Sequence, residues 1–230
     1  MSSMNSESQA DKLAEEGLSQ VKSGDTDEGI QSLLKSADLY AQDSNFNEQT
    51  KQLLRVAEIY KLTNQLDQAL GTYRTLIGIL EQVHDKDVHI RVLSNMGLIH
   101  AMQGQFADAR DYFTKALSKA EQLGNKKYIA QQWGNIGSVY RDLNEHDKAL
   151  ENYSKALPIY EELDDKEGTA DQSTNIAYIY VMVSNLEEAL CWYKKALPLY
   201  NELNNMEKAA FTQQNITHIE SLLAQTPKRS

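Results

Sequence analysis

Four asparagines at one position of a repeating pattern are the side chains in this sequence best suited to binding chemistry. They are spaced 40 residues apart, at Asn95, Asn135, Asn175 and Asn215. A carboxamide carries both a donor and an acceptor, so such a column could pair with the main chain of a bound peptide without reading its side chains. Asparagine is a poor helix former, so its recurrence within predicted helices needs a reason. The alternative is that each carboxamide bonds to a neighbouring helix and only fixes the packing.

Basic side chains cluster toward the same predicted face in the N-terminal half of the chain. Lys51 and Arg55 are four residues apart, and Arg91 takes the place of Lys51 one repeat later; Arg141 lies further along. Residues four apart share a helix face. Arginine offers a two-pronged donor to carboxylates, so we expect an acidic side chain or a free carboxyl terminus to bind here. A solvated helix face with incidental ion pairs is the alternative.

The predicted face becomes more apolar toward the C-terminal half of the chain. Tyr178 and Met182 lie on or beside its columns. Tyrosine and methionine suit adaptable binding pockets, so we include both residues in the candidate peptide-binding set. Core packing at helical spacing is the competing interpretation.

These side chains must be positioned by a repeated helical unit. Blocks of similar sequence begin at Ala10, Thr50, Ile90, Ala130, Ala170 and Ala210. A fixed period of this size indicates a solenoid, in which each unit buries its apolar face only by stacking on its neighbours. A solenoid offers an extended surface for binding, so catalysis is a weaker expectation than binding.

Each block contains the pattern of two helices joined by a short turn. In the fourth block, Trp133, Ile136 and Tyr140 recur at helical spacing and form one face of a first helix. This helix is then predicted to end at Asn144, because asparagine tolerates a left-handed backbone. Most of the equivalent positions in the other blocks also hold glycine or asparagine. Helix breaks are therefore predicted near residues 24, 64, 104, 144 and 184. The second helix buries Ala149, Tyr153 and Ala156, among other residues.

The pattern of large, small and aromatic residues resembles the tetratricopeptide repeat family. The residues that carry the resemblance are Trp133, Gly137, Tyr140, Ala149, Tyr153 and Ala156, with similar sets in the neighbouring blocks. The period of 40 exceeds the family's usual length of about 34. In this respect the chain is similar to the repeats of kinesin light chains, cell-polarity adaptors and bacterial peptide sensors. The resemblance implies a concave groove lined by the first helices, where asparagines of this column hold extended peptides.

The expected fold is an all-α, right-handed α-solenoid of about five helix pairs followed by a capping helix. The solenoid would span residues 10–225, with repeats near 10–49, 50–89, 90–129, 130–169 and 170–209 and the capping helix at 210–224. Ile216, Ile219 and Leu222 are expected to face the last pair, and polar residues on the terminal helices would keep the solenoid finite. Residues 1–9 and 226–230 are expected to be disordered.

The composition of the chain disfavours several classes of partner. The chain has 230 residues and a net charge of −10, which disfavours nucleic acid and anionic lipid as partners. No apolar stretch is long enough to span a membrane. A single cysteine, Cys191, fits a reducing compartment, and the histidines lack the spacing of metal ligands. We therefore expect a cytoplasmic protein without a metal or cofactor, and no catalytic residue is identified.

The sequence thus favours a non-enzymatic module that binds an extended, acidic segment of a partner protein in its groove. Two alternatives remain open. The chain could be a self-assembling scaffold, in which one copy takes a terminus of the next. It could also be the sensor module of a peptide-signalling system.

Overall fold

The structure is a computed structural model that describes the backbone of residues 2–225 and the side chains of residues 9–225. Eleven helices and no strand occur in this range. Their bounds are α1 (Ser2–Ser23), α2 (Thr26–Gln42), α3 (Phe46–Leu62), α4 (Leu66–Val83), α5 (Lys86–Met102), α6 (Phe106–Leu123), α7 (Lys126–Asp142), α8 (His146–Glu162), α9 (Lys166–Met182), α10 (Leu186–Glu202) and α11 (Met206–Gln225). The prediction of an all-α chain with five helix pairs and one further helix is confirmed for these residues.

The helices belong to two compact units that divide after Gln103. Unit 1 contains α1–α5. In it α1 packs on α2, α2 on α3, α3 on α4 and α4 on α5. Unit 2 contains α6–α11, and each of its helices from α7 to α11 likewise packs on the preceding one. Packing between helices adjacent in sequence is the arrangement expected of stacked repeats.

The turns inside the helix pairs lie where the sequence predicts them. Left-handed backbone conformations occur at Gly24, Asn64, Gly104, Asn144 and Ser184, which confirms all five predicted breaks. Ser184 adopts φ +59° without the freedom of glycine, a conformation that costs a non-glycine residue about 1 kcal/mol. The break at this position is therefore imposed by the packing of the helices on either side.

The first helix of each later pair begins four residues before the sequence block does, at a side-chain cap. Asp85 accepts a hydrogen bond from the backbone N–H of Val88 at 3.0 Å, and Asp165 from that of Gly168 at 2.9 Å. The same cap is made by Asn45, Asn125 and Asn205. Each cap stabilises its helix by about 1 kcal/mol.

The core from the second to the fifth repeat is centred on an aromatic ring close to small residues, whereas the first repeat has Leu33 at this position. Tyr73, Phe113, Tyr153 and Tyr193 are almost completely buried. A Cβ added to Gly137 would lie 2.7 Å from two ring carbons of Tyr153, so only glycine permits this approach of α7 to α8. Burial is also the main cause that raises the pKa of the Tyr193 phenol to about 12.

The two ends of the described chain differ in part from the prediction. Helix α1 begins at Ser2, so residues 2–9 lie in a helix where disorder was expected. No glycine or proline occurs before Gly17, and nothing in the segment interrupts the helix. The predicted disorder of residues 226–230 lies outside the described residues. None of the described helices is both long and apolar enough to cross a membrane.

Helix α11 covers the last repeat with a slightly different face from the one predicted. Ile216 and Ile219 are buried against the cluster around Ala189 and Tyr193, as expected. Leu222 is instead 37% exposed, and Leu223 packs against the cluster in its place. Residues 216, 219 and 223 follow the spacing of one helix face, whereas residue 222 has rotated away from it.

The burial of Ile219 and the exposure of Leu222 predict different losses of stability for two truncations on α11. Ile219→Ala should destabilise unit 2 by about 2–5 kcal/mol, because it opens a cavity beneath the cap. Leu222→Ala should cost less than about 1 kcal/mol, because Leu222 is 37% exposed and Leu223 takes the place against the core cluster. Urea denaturation followed by circular dichroism measures both, and an equal or larger loss in Leu222→Ala would contradict the assignment.

Candidate functional site

The carboxylate of Glu58 is the centre of a polar network in unit 1. Its Oε1 accepts hydrogen bonds from the Tyr73 hydroxyl and from Nδ2 of Asn95, each at 2.9 Å. Lys61 Nζ lies 2.6 Å from Oε2 of Glu58, and it also donates to Oδ1 of Asn95 at 3.4 Å. Three helices, α3, α4 and α5, thereby contribute to one network.

Both functional atoms of the Asn95 carboxamide are engaged in this network. Its donor bonds to Glu58 and its acceptor receives Lys61. The contacts agree with the packing interpretation at this position of the asparagine column. Burial and the neighbouring Glu58 carboxylate raise the pKa of the Tyr73 phenol well above its ordinary value, so the phenol remains a donor to Glu58.

The three basic residues predicted in unit 1 do not form one cluster of direct contacts. Lys51 is paired with Glu48 on its own helix. Arg55 is exposed, and its guanidinium donates to Oε1 of Gln52 at 2.8 Å. Arg91 is exposed and acts electrostatically on Tyr73. Within residues 9–225 neither arginine has an acidic ion-pair partner, so both remain able to bind a carboxylate.

The asparagines of unit 2 differ from Asn95, because among the described residues none of them bonds to a neighbouring helix. Asn135 Nδ2 donates to Oε1 of Gln132 at a long 3.4 Å, and Asn215 Nδ2 donates to the backbone carbonyl of Phe211 at 2.9 Å. Each of these contacts lies within one helix and joins no neighbouring repeat. The Asn175 carboxamide makes no hydrogen bond to any side chain or backbone group of the described residues, although it is partly buried.

Asn175 lies in a cavity of about 290 Å³ formed by α9, the end of α10 and α11. Lys208 Nζ bonds both carboxylate oxygens of Asp171, at 2.7 and 2.9 Å. The Tyr200 hydroxyl donates to Asp171 at 2.7 Å and lies 3.2 Å from the Thr174 hydroxyl. These polar groups bond to one another and form one wall, so Asn175 is the lining residue whose hydrogen-bonding groups are left available.

The remaining cavity residues were not identified from the sequence. Asp171 precedes Asn175 by one helical turn, which places both on one face of α9 and is a usable signal. Lys208, the ion-pair partner of Asp171, lies on the final helix α11, so no spacing rule within one repeat identifies it. Burial and the Asp171 carboxylate raise the pKa of the Tyr200 phenol, which keeps it protonated as the donor.

The apolar residues predicted for the groove are on the surface of α9. Tyr178 is 43% exposed and Met182 is 46% exposed, which excludes the core-packing alternative for both. Arg141 is partly buried, donates from Nε to Asp142 at 2.8 Å and interacts electrostatically with Tyr178. The structure thus associates Arg141 with Tyr178 but leaves its charge partly balanced by Asp142.

Metal ligands are not gathered anywhere in the part of the chain whose side chains are described. No group of three or more histidine, cysteine, aspartate or glutamate side chains is arranged to hold an ion there. The chemistry available at the candidate site is hydrogen bonding, charge pairing and apolar contact.

Comparison with known proteins assigns the helix pairs to a family. A model of the tetratricopeptide repeat matches residues 49–122 and 128–202. The chain belongs to the tetratricopeptide repeat family. Repeats of this family generally mediate protein–protein interaction. No curated protein sequence matches the chain.

Solved structures agree with this assignment of the fold. The apo form of RapI has a TM-score of 0.80 and 17% identity, over 92% of this chain and 62% of RapI. Kinesin-light-chain-like repeats from Podosopora anserina have a TM-score of 0.67 and 12% identity, over 86% of this chain and 98% of that one. A Rap protein complexed with Competence and Sporulation Factor has a TM-score of 0.60 and 16% identity, over 95% and 66%. The tetratricopeptide repeat chain thus spans less than two thirds of both Rap proteins.

The different environments of Asn95 and Asn175 predict different effects on folding. Asn95→Ala should lower the free energy of unfolding by about 1–3 kcal/mol, because Glu58 loses a partly buried donor. Asn175→Ala should leave it unchanged or slightly higher, because alanine is the better helix former and no bond is lost. Thermal and urea denaturation of the two variants test this contrast. Equal destabilisation by both substitutions would mean that Asn175 has a packing role after all.

Proposed function

We propose that this protein is a non-enzymatic interaction module that binds an extended segment of a partner protein along the first helices of unit 2. The observation that carries the proposal is the Asn175 carboxamide, which is partly buried beside a cavity and makes no bond within the described protein. Its amide atoms remain accessible to water, so a ligand with a matching donor and acceptor can exchange hydrogen bonds to water for direct bonds to Asn175.

An extended main chain is the ligand that suits an asparagine column best. Each peptide unit offers one N–H and one carbonyl, and one carboxamide can bond to both. Asn135 and Asn215 add acceptors to the same column, since each uses only its Nδ2 within its own helix. The exposed Tyr178 and Met182 supply apolar contact area for side chains of the bound segment.

The charge distribution favours acidic groups in the partner. Arg55 and Arg91 are exposed cations of unit 1 without an acidic partner in the described residues, in a chain whose net charge is −10. An acidic segment is repelled by most of this surface and attracted only at such positions, which supports selective recognition. Nucleic acid is disfavoured by the same net charge, and we propose a cytoplasmic location.

A peptide-sensing role has one specific observation in its favour. The chain shares its fold with a Rap protein that was solved in complex with Competence and Sporulation Factor. At 16% identity the likeness extends to the fold alone. We therefore propose the sensor role as a use of the same binding site in a signalling system. A scaffold that assembles with itself would instead show a molecular mass that rises with concentration in light scattering.

Selection of ligands from a library of extended peptides tests the proposed site directly. We expect the library to yield peptides that bind the wild-type chain. These peptides should bind the Asn175→Ala variant about three- to tenfold more weakly, which corresponds to the loss of one hydrogen bond. Asn201→Ala, an exposed asparagine on α10, is the matched control and should bind like wild type. Isothermal titration gives the affinities. Ligands that bind Asn175→Ala as tightly as the control would overturn the proposed site.

The acidic preference proposed for Arg55 and Arg91 of unit 1 has a separate kinetic test, with acidic peptides as the probe. Arg55→Glu combined with Arg91→Glu should slow association and flatten its dependence on salt, because exposed charges act mainly on the encounter rate. Lys35→Glu combined with Arg74→Glu, exposed cations on α2 and α4, serves as the control because it changes the net charge by the same amount. Stopped-flow measurements across a range of salt concentrations give the association rates. An unchanged salt slope in the double variant would show that the two arginines are solvated surface.

A further inference from the structure

A second candidate site lies in unit 2, in a groove of about 400 Å³ between α6 and α8 with α7 as its floor. Arg110 lines it from α6, Trp133 and Tyr140 from α7, and Lys148 and Lys155 from α8. These five residues are called the cation–aromatic groove below. The Leu117 and Ile136 side chains complete its apolar floor.

The groove is separate from the proposed peptide site. Successive residues of an α-helix are rotated by about 100°, so Asn135 points about 100° away from Ile136 and further still from Trp133. The stripe formed by Trp133, Ile136 and Tyr140 therefore faces α6 and α8, whereas Asn135 is on another side of α7. A ligand in the groove does not depend on the asparagine column.

The groove forms where the repeat pattern is broken on α6. Arg110 stands at a position that is apolar in the other four helix pairs, where the residues are Ile30, Leu70, Leu150 and Leu190. Those side chains pack into or against their local cores. Arg110 is exposed, so it leaves the space of one leucine beside the rings of α7 and places a cation at its edge.

Two further departures from the pattern meet at the same place. Trp133 replaces a residue that is leucine in each of the three preceding blocks, at Leu13, Leu53 and Leu93. Lys148 is the single cation of a column otherwise occupied by Glu28, Gln68, Asp108 and Glu188. That column lies in the first turn of the second helices, where the helix dipole favours acidic side chains. Lysine at this position is thus less favourable for the helix than the residues it replaces.

The contacts in the groove arrange cations around aromatic rings. Lys155 Nζ lies 4.5 Å from the Trp133 ring centroid and bonds Glu151 at 2.6 Å. Lys148 Nζ lies 5.3 Å from the Tyr140 ring centroid and pairs with Glu145. Arg110 makes no ion pair within the residues whose side chains are described. Three cations and one carboxylate, Glu151, therefore line an apolar floor.

We infer that the cation–aromatic groove is a docking site for an acidic segment of a partner protein that carries a large apolar side chain. The apolar side chain would occupy the floor between Arg110 and Trp133, where the repeat pattern otherwise has leucine. Carboxylates on either side of it would pair with Arg110 and Lys148 at the edges. A long polyanion such as nucleic acid is excluded by the net charge of −10 and by Glu151 within the groove.

The test uses a blocked, fluorescein-labelled peptide in which a leucine is flanked on both sides by aspartates. The groove variant is Arg110→Leu with Lys148→Glu, which restores residue types found at the same positions of other repeats. It is compared with Arg74→Leu and Lys35→Glu, which change two exposed cations elsewhere by the same net charge. Fluorescence anisotropy should show at least about tenfold weaker binding to the groove variant than to the control or the wild type.

Companion measurements keep the outcome decisive. Peptides with asparagine for aspartate, or serine for leucine, should each bind the wild type more weakly, whereas Asn175→Ala should bind the original peptide normally. The groove variant should melt no lower than wild type, because leucine fills the space and glutamate suits the first turn of α8. Lys155→Gln, which retains Arg110, is a second and milder variant that should also weaken binding. Equal binding by the groove variant and its charge-matched control, or no binding to the wild type, would overturn the proposal.

Discussion

The close approach of paired helices, with an aromatic ring set among small residues, is the constraint on which the other features of this structure depend. Tyr153 touches α7 at Gly137, where even a methyl group would collide with the ring. Ala149 and Ala156 are fully buried on the same helix as that ring. Because no repeat can bury this face alone, each helix pair needs a neighbour, and α11 supplies one for the last pair.

This packing decides which positions are available for binding. The buried ring of the second helix and the small residues around it, such as Tyr153, Ala149 and Ala156, are fully used in packing, so these side chains cannot meet a ligand. The asparagine column lies at the edge of the packed face, where a carboxamide can turn either inward or outward. Asn95 turns inward because Glu58 and Lys61 offer it a bond on each side, whereas Asn175 faces a cavity whose other polar groups already bond to one another.

Departures from the repeat carry information of a different kind. A side chain that follows the pattern is explained by stacking, but Arg110 replaces an apolar residue and Lys148 an acidic or neutral one, while Trp133 is larger than the leucines of the preceding blocks. All three line one groove of unit 2. Natural proteins accept local losses of stability where a site needs them, and the three departures agree with the docking site proposed for this groove.

The sequence by itself determined the number of helix pairs, the positions of the turns and the composition of the core. Each of these follows from contacts within one repeat, and a period of 40 residues presents the same contacts several times over. The Asn/Asp residues at 45, 85, 125, 165 and 205 would also have located the helix starts, because a cap bonds only three residues ahead. The sequence pattern wrongly predicted that Leu222, and not Leu223, packs against the last repeat. Which of two adjacent residues on a helix is buried depends on the position of the neighbouring helix.

The state of each candidate side chain was decided only by the tertiary structure. Four asparagines are identical in sequence, yet they differ in partner because the residues facing them come from other helices and are not repeated. The predicted cluster of Lys51, Arg55 and Arg91 differs for the same reason: Lys51 pairs with Glu48, whereas neither arginine has an acidic ion-pair partner among residues 9–225. A periodic pattern specifies where a side chain lies on its helix, but its hydrogen bonds and charge partners depend on which non-repeated residues the fold brings against it.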